Sequence, residues 1–227
     1  MLLNYIAPEE LLAPLVPAGV DLDRWRGTLY VSVVGFLFRD TRVVGIPIPA
    51  YRTFPEVNLR FYVRREVAGE TRRGVVFVRE LVPRRAIALV AKLLYNEPYR
   101  AVPMRYTLTG ESQRGGAERA YGWRASGEWA GLSARTVGPP RALQANSEEE
   151  FITEHYWGYT RQRDGGTVEY RVSHPRWDVW TATEARLDGN LAPIYGHAFA
   201  RILAGQPRSA FVADGSPVTV FAPTRIR

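Results

Sequence analysis

Residues 56–64, with the sequence EVNLRFYVR, alternate strictly between two kinds of side chain. Apolar residues occupy the odd positions from 57 to 63, and polar residues or tyrosine occupy the even positions. Successive side chains of a β-strand point to opposite faces of a sheet, so the alternation predicts a strand with one apolar face. The chain must therefore build a sheet around at least this strand.

The polar face of this strand has two interpretations. In the first, the polar side chains point into solvent. In the second, they point into the lumen of a β-barrel, where Glu56, Asn58 and Arg60 form a polar binding floor. The alternation alone leaves both interpretations open.

The rest of the chain also reads mainly as β-structure. Further strands are predicted at residues 27–38, 74–82, near 104–110, 119–126 and 130–137, in a hairpin at 157–173, at 177–187 and in two strands near the end of the chain. Short helices are predicted at residues 8–16, 84–96 and 191–204, and after the capping box of Ser147 and Glu150. About ten strands without recurrent βαβ units predict one mainly β domain over residues 1–227, a barrel or sandwich with attached helices.

Composition excludes several kinds of chemistry. The 227 residues include no cysteine, so disulfides, thiolate nucleophiles and cysteine-based metal sites are excluded. The only lysine is Lys92, which leaves a single side-chain amine for Schiff-base chemistry. No apolar run approaches the ~18 residues of a membrane span, and the first residues lack the basic start of a signal peptide. We therefore expect a cytoplasmic protein without a membrane partner.

The positive charge raises the question of an anionic partner. The 30 basic residues exceed the 23 acidic ones, and the pI is about 9.9. Such a balance is compatible with nucleic-acid binding, but no zinc-finger spacing, basic heptad or RNP-type motif supports it. Arginine binds carboxylates and phosphates through its bidentate fork, so a small anionic ligand explains the charge as well. A nucleic-acid partner is the weakest of the hypotheses.

Common catalytic motifs are absent, and one aromatic segment stands out. The chain has no G-x-G-x-x-G, P-loop or G-x-S-x-G sequence, and its three histidines lack metal-ligand spacing, so we expect neither a cofactor nor a metal. The segment HYWGY, residues 155–159, is rich in aromatic residues. Its side chains are either core aromatics or the lining of a pocket, with the His155 nitrogen and the Tyr159 hydroxyl as polar tips.

Several long motifs resemble a known family. The segments GIPIP, FPEVNLRFYVRR, LYNEPY, FITEHYWGYT and EYRVSHPRW resemble the uncharacterised bacterial family DUF2071, also called YqjF-like, and the resemblance covers almost the whole chain. The family has no established activity to carry over. It is in turn similar to the acetoacetate decarboxylase superfamily, which implies a closed β-barrel or cone with an internal ligand cavity.

The resemblance also shows where this chain departs from the decarboxylases. In those enzymes a helix leads through a proline into a pair of lysines, one of which forms a Schiff base. Here Pro98 is followed by Tyr99 and Arg100, and neither side chain forms an imine. The decarboxylase mechanism therefore does not transfer. Lys92, six residues before Pro98, either substitutes for the missing amine or lies at a helix surface. Glu56 matches in position a cavity glutamate of the decarboxylases, which favours the lumen interpretation.

Two function hypotheses share the predicted cavity. The first is an enzyme for a small anionic or keto compound, with Glu56 as acid and base, Tyr99 as proton donor or anchor, and Arg60 or Arg100 as carboxylate clamp. Asn58 belongs to the same binding floor. The second hypothesis is a binding or sensing module without chemistry. Self-association is left open by the sequence.

Overall fold

The structure is a computed structural model that describes residues 1–43, 46–47, 53–86, 96–110 and 117–226. Its strands are β1 Leu2–Ile6, β2 Asp21–Leu22, β3 Tyr30–Phe38, β4 Arg42–Val43, β5 Ile46–Pro47, β6 Phe54–Val67, β7 Glu70–Val82, β8 Tyr99–Ala101, β9 Met104–Thr109, β10 Glu118–Ala125, β11 Glu128–Arg141, β12 Trp157–Arg161, β13 Thr167–Ser173, β14 Val179–Asp188, β15 Ser209–Ala213, β16 Thr219–Val220 and β17 Thr224–Ile226. The mainly β class predicted from the sequence is confirmed.

The helices within the described ranges are few and short. They are α1 Glu9–Leu12, which continues into a 3₁₀ turn over Ala13–Leu15, α2 Glu148–Thr153 and α3 Ala192–Leu203. A backbone break at Gly196, where φ is 79°, divides α3 in two. Most of the predicted helix at 84–96, including Lys92, falls on residues 87–95, which lie outside the described residues. No helix in the described part of the chain is long and apolar enough to cross a membrane.

One large sheet of 15 strands dominates the fold. Its main path runs β16-β13-β12-β7-β6-β3-β1-β15-β14-β11-β10-β9, and β2, β8 and β17 pair beside it. Among the described residues, β9 and β16 at the two ends are not paired with each other. The predicted closure into a barrel is therefore wrong, because in the described part of the chain the end strand β16 pairs with β13 and not with β9. The internal cavity stays a prediction.

The open sheet curls until distant strands pack face to face. A β-carbon built on Gly35 of β3 would lie 2.7 Å from the ring of Tyr121 of β10, so only glycine allows these two strands to approach so closely. The main apolar core lies on this side of the sheet. Its buried members include Val31, Val33, Leu59, Phe61, Trp123 and Leu132.

A smaller apolar core lies on the other face. It contains Tyr62 and Val75 of the sheet together with Phe151 and Ile152 of α2. The predicted capping box at α2 is observed in part, because the Glu150 amide donates to the Ser147 hydroxyl over 3.1 Å. The Glu150 carboxylate accepts from the amide of Asn146 at 2.6 Å. Helix α2 thus packs against Tyr62 of β6, and its Ile152 carbonyl accepts a hydrogen bond from Arg60.

Strand β1 lies inside the sheet, and the sequence prediction missed it. It pairs with β3 on one side and with β15 on the other, so that Leu2 lies opposite both Val34 and Phe211. Asn4 joins the three strands through its side chain, which accepts from Ser32 at 2.6 Å and donates to Ser209 at 2.9 Å. A central strand buried on both faces lacks the alternation by which strands are recognised.

Candidate functional site

The even-numbered residues of β6 are buried. Glu56 is 2% exposed and Asn58 is 3% exposed, while Arg60 is half-buried. The interpretation that these side chains face solvent is therefore wrong for Glu56 and Asn58. They do not share the main apolar core either, because the odd-numbered neighbours Val57 and Leu59 point into that core. The polar residues lie on the opposite face of the sheet.

A row of polar side chains crosses three neighbouring strands on this face. Asn58 of β6 lies opposite Glu80 of β7, and Glu80 lies beside Tyr99 of β8 in parallel register. The Asn58 amide donates to Glu56 Oε1 over 3.1 Å. The Tyr99 hydroxyl donates to Glu56 Oε2 over 3.2 Å. Both carboxylate oxygens of Glu56 therefore have a fixed donor.

A third carboxyl group reaches the same place from the loop before β8. Glu97 is 6% exposed, and its Oε1 accepts a hydrogen bond from the hydroxyl of Tyr170 on β13. The Tyr170 ring lies directly over Gly158 of β12, where an added β-carbon would be 2.1 Å from ring atom Cζ. Glycine at 158 is thus required for Tyr170 to reach Glu97. We call the group Glu56, Asn58, Glu80, Glu97, Tyr99 and Tyr170 the carboxyl cluster.

The three carboxyl groups of the cluster hold their protons tightly. Burial, reinforced by the nearby Glu97, raises the pKa of Glu56 to about 8 against the opposing hydrogen bonds of Asn58 and Tyr99. Burial also raises the pKa of Glu97 to about 7. Burial and the other two carboxyl groups raise the pKa of Glu80 well above its usual range. The cluster is therefore neutral or only partly ionised near pH 7.

Two acceptor atoms in the cluster lack a hydrogen-bond partner among the described residues. They are Glu80 Oε2 and Asn58 Oδ1, and both belong to side chains that are almost fully buried. Buried polar atoms in folded proteins are nearly always paired with protein or with ordered water. Asn58 Oδ1 is therefore free to accept a hydrogen bond from a further group, and Glu80 Oε2 is free to accept one or, while Glu80 is protonated, to donate one.

Arg60 and Arg100 do not join Glu56. The Arg60 guanidinium donates to the backbone carbonyl of Ile152 over 3.2 Å and lies over the Tyr62 ring. Arg100 is exposed and donates to the carbonyl of Pro193 over 2.9 Å. It follows Tyr99 on β8, so its side chain points to the opposite face of the sheet. The structure brings neither arginine against the carboxyl cluster.

His155 and Tyr159 occupy two other places. His155 is buried against Tyr62, and its Nε2 lies 3.3 Å from Asp23 Oδ2. Burial lowers the pKa of His155 although the Asp23 carboxylate opposes this. Tyr159 lies in the main apolar core, where burial raises its pKa. The Tyr159 hydroxyl has no hydrogen-bond partner among the described residues. The predicted ligand-binding residues thus fall into separate groups.

Sequence reasoning missed three members of the cluster, Glu80, Glu97 and Tyr170. Glu80 gave a usable signal, since it is the single acidic residue in the apolar strand GVVFVRELV. Glu97 and Tyr170 gave none. Within the described ranges, no group of three or more His, Asp or Glu side chains is arranged to hold a metal ion.

A match to a family model shows which protein family the chain belongs to. A family model described as an uncharacterized conserved protein, DUF2071, matches residues 1–223. The chain belongs to the DUF2071 family. One protein of similar sequence is the uncharacterized protein YqjF of Bacillus subtilis strain 168, which is 28% identical to this chain over 166 residues. The match covers 73% of this chain and 66% of YqjF, just under two thirds of that protein's length.

Solved structures of similar shape show which fold this chain has. The acetoacetate decarboxylase of Legionella pneumophila superposes with a TM-score of 0.63 at 12% identity, covering 100% of this chain and 83% of the decarboxylase. An acetoacetate decarboxylase-like enzyme of Sphingomonas wittichii RW1 superposes with a TM-score of 0.64 at 16% identity, covering 99% and 89% of the two chains. The chain therefore shares the acetoacetate decarboxylase-like fold.

Proposed function

We propose that this DUF2071 protein is a small-molecule enzyme in which Glu56 acts as general acid and base on a keto compound. The observation that carries the proposal is the carboxyl cluster. Three buried carboxyl groups share one site, and no arginine is among the groups that shift their pKa values. Clefts with strongly perturbed carboxyl groups are typical of acid–base catalysis.

The protonation state of Glu56 suits both directions of proton transfer. With a pKa of about 8, the carboxyl group carries its proton at neutral pH and gives it up in mildly basic solution. A catalytic group works best when its pKa lies near the working pH. The Tyr99 hydroxyl holds the Glu56 carboxyl in one orientation. Burial also raises the pKa of Tyr99, so this side chain stays a hydrogen-bond donor.

The surroundings of Glu56 favour a carbonyl over an anionic group as the reacting part of the ligand. The Tyr99 hydroxyl is already engaged with Glu56, so the donors left for a ligand are the protonated carboxyl groups of the cluster, and a keto oxygen accepts from them. A ligand carboxylate placed among Glu56, Glu80 and Glu97 would be repelled as soon as one of them ionises. The Legionella relative is named for acetoacetate, a keto acid. The proposal needs no imine and therefore no lysine.

The proposed reaction is enolisation. The ionised Glu56 removes a proton from the carbon next to the keto group, the electron pair of that C–H bond moves to the carbonyl, and the oxygen becomes an enolate held by hydrogen bonds. Return of the proton to carbon restores the ketone. In D₂O the proton returned is a deuteron, so proton NMR reports the reaction as loss of the α-hydrogen signal.

The test is a panel of small ketones and keto acids incubated with the protein in D₂O. We expect exchange faster than in buffer, with a rate that rises with pH and levels above about pH 8, because the ionised Glu56 is the base. Glu56→Gln should lower the rate by at least about 100-fold. Glu66→Gln is the matched control, because Glu66 lies exposed on the same strand, where its carboxylate accepts a hydrogen bond from Thr71.

The outcomes separate the two hypotheses that share the site. A ketone that binds in calorimetry but exchanges no faster than in buffer would favour a binding module over an enzyme. Exchange that survives Glu56→Gln would remove Glu56 from the mechanism. Neither binding nor exchange across the panel would contradict the proposed function.

A further inference from the structure

The opposite face of β7 and β8 carries two arginines. Arg79 precedes Glu80, and Arg100 follows Tyr99, so alternation directs both away from the carboxyl cluster and toward the main apolar core. Arg79 lies opposite Leu59, and Arg100 lies beside Leu81, which places the two arginines diagonally on neighbouring strands. Neighbouring strands lie about 4.8 Å apart and rise about 3.3 Å per residue, so two positions offset by two residues are within reach of long side chains.

These two arginines form no ion pair with a described carboxylate. Among the described residues, Arg100 donates to the carbonyl of Pro193. Arg79 Nε is buried without a hydrogen-bond partner in the described part of the chain. Of the chain's acidic residues, only Glu111 lies outside that part. Burial lowers the pKa of Arg79, and the charge of Arg100 lowers it further. Two neighbouring cations without a counter-ion favour the binding of an anion.

Two further donors, the Tyr195 hydroxyl near Arg79 and the indole N–H of the Trp123 ring that contacts Tyr195, lack a partner among the described residues. Tyr195, at the start of α3, is close enough for its hydroxyl and the Arg79 charge to shift each other's pKa. Its ring meets that of Trp123 edge-on, with centroids 6.1 Å apart. Tyr195 is 5% exposed and Trp123 is fully buried, yet the Tyr195 hydroxyl and Trp123 Nε1 have no partner among the described residues. An indole N–H only donates, so this atom requires an acceptor.

We propose that Arg79, Arg100 and Tyr195 bind the oxyanion head of a small ligand, a carboxylate or a phosphate, beside the Trp123 ring. Arg79 and Arg100 supply charge and forked donors, as arginine does for both kinds of head. The Tyr195 hydroxyl and the indole N–H supply two more donors. The aromatic rings form an apolar wall for the body of the ligand. This site lies on the opposite face from Glu56 and is independent of the proposed keto chemistry.

Calorimetric titration of the full chain with benzoate and with inorganic phosphate tests the site. We expect one of the two anions, or both, to bind with one-to-one stoichiometry. Arg79→Gln should weaken binding about 10- to 100-fold, and Tyr195→Phe about threefold to tenfold, since it removes a single neutral donor. Arg100→Gln changes an exposed side chain and keeps the test decisive if Arg79→Gln fails to fold.

The matched control is Arg135→Gln, which removes the same charge from an exposed side chain 3.7 Å from Glu184. Binding of benzoate alone assigns a carboxylate, binding of phosphate alone assigns a phosphate, and equal binding assigns a general oxyanion site. The proposal is wrong if neither anion binds at millimolar concentration, or if Arg135→Gln weakens binding as much as Arg79→Gln. Glu56→Gln should leave anion binding unchanged, which separates this site from the proposed active site.

Discussion

Replacement of Glu56 by glutamine probes the carboxyl cluster through folding stability, without any knowledge of a substrate. The amide has the shape of the carboxyl group, and its oxygen still accepts the hydrogen bond from Tyr99. Its NH2 group replaces the oxygen that accepts from Asn58, whose side-chain amide must turn to offer its unpartnered Oδ1. What the substitution removes is the ability to ionise. The variant and the wild type therefore differ mainly in how their stability responds to pH.

The expected size of that difference follows from the pKa of Glu56. It rises from its ordinary 4.5 to about 8 on folding. The folded state thus holds the proton more tightly than the unfolded state, so the stabilisation is complete below pH 4.5 and is lost as pH rises to about 8. At about 1.4 kcal/mol for each pH unit, the full loss is on the order of 5 kcal/mol. Glu80 and Glu97 add to the wild-type response. Because the Glu56 charge also raises the pKa of Glu80, the difference between wild type and variant reports Glu56 together with its coupling to Glu80.

Urea unfolding between about pH 5 and about pH 9 measures this response. We expect the wild type to lose about 4 kcal/mol more than Glu56→Gln over this interval, with most of the loss complete by pH 8. Glu66→Gln, at an exposed position of the same strand, should follow the wild type. Parallel curves for wild type and Glu56→Gln would show that Glu56 ionises normally in the folded protein and would refute the reasoning.

Two further substitutions test how the site is supported. Gly158→Ala places a β-carbon about 2.1 Å from the Tyr170 ring, which must then move, so we expect a loss of about 2–3 kcal/mol in urea unfolding. The same substitution in a Tyr170→Leu background should cost much less, and an equal cost there would contradict the clash. Ser147→Ala removes the N-cap of α2 and should lower stability by about 1 kcal/mol, whereas an unchanged unfolding midpoint would show that the cap is dispensable.

The sequence was sufficient to predict the local part of the site. The alternation along β6 placed Glu56, Asn58 and Arg60 on one face, and the position of Tyr99 was singled out by the resemblance to decarboxylases. Both kinds of inference concern residues that are close in the chain or matched by a motif. The structure confirms the shared face and shows that Tyr99 contacts Glu56.

The remaining contacts depend on pairings that no local pattern specifies. Tyr170 reaches Glu97 only because β12 pairs in parallel with β7 and brings β13 alongside. The sequence predicts Arg100 as a clamp for a ligand near Glu56. Arg100 directly follows Tyr99 on β8, however, so its side chain points to the other face of the sheet. Barrel closure failed for a similar reason, since the partners of an end strand are set by tertiary packing and not by its own sequence.

The place of β1 between β3 and β15 has a consequence for the order of folding. Leu2 pairs with Phe211, so the middle of the sheet joins residues that are about 200 positions apart. Closing a loop of that length costs about 5 kcal/mol of chain entropy before the pairing stabilises anything. During synthesis β1 and β3 emerge early, but one edge of β1 stays open until β15, residues 209–213, has left the ribosome. Until then this apolar strand is a place where a nascent chain could pair with the wrong partner.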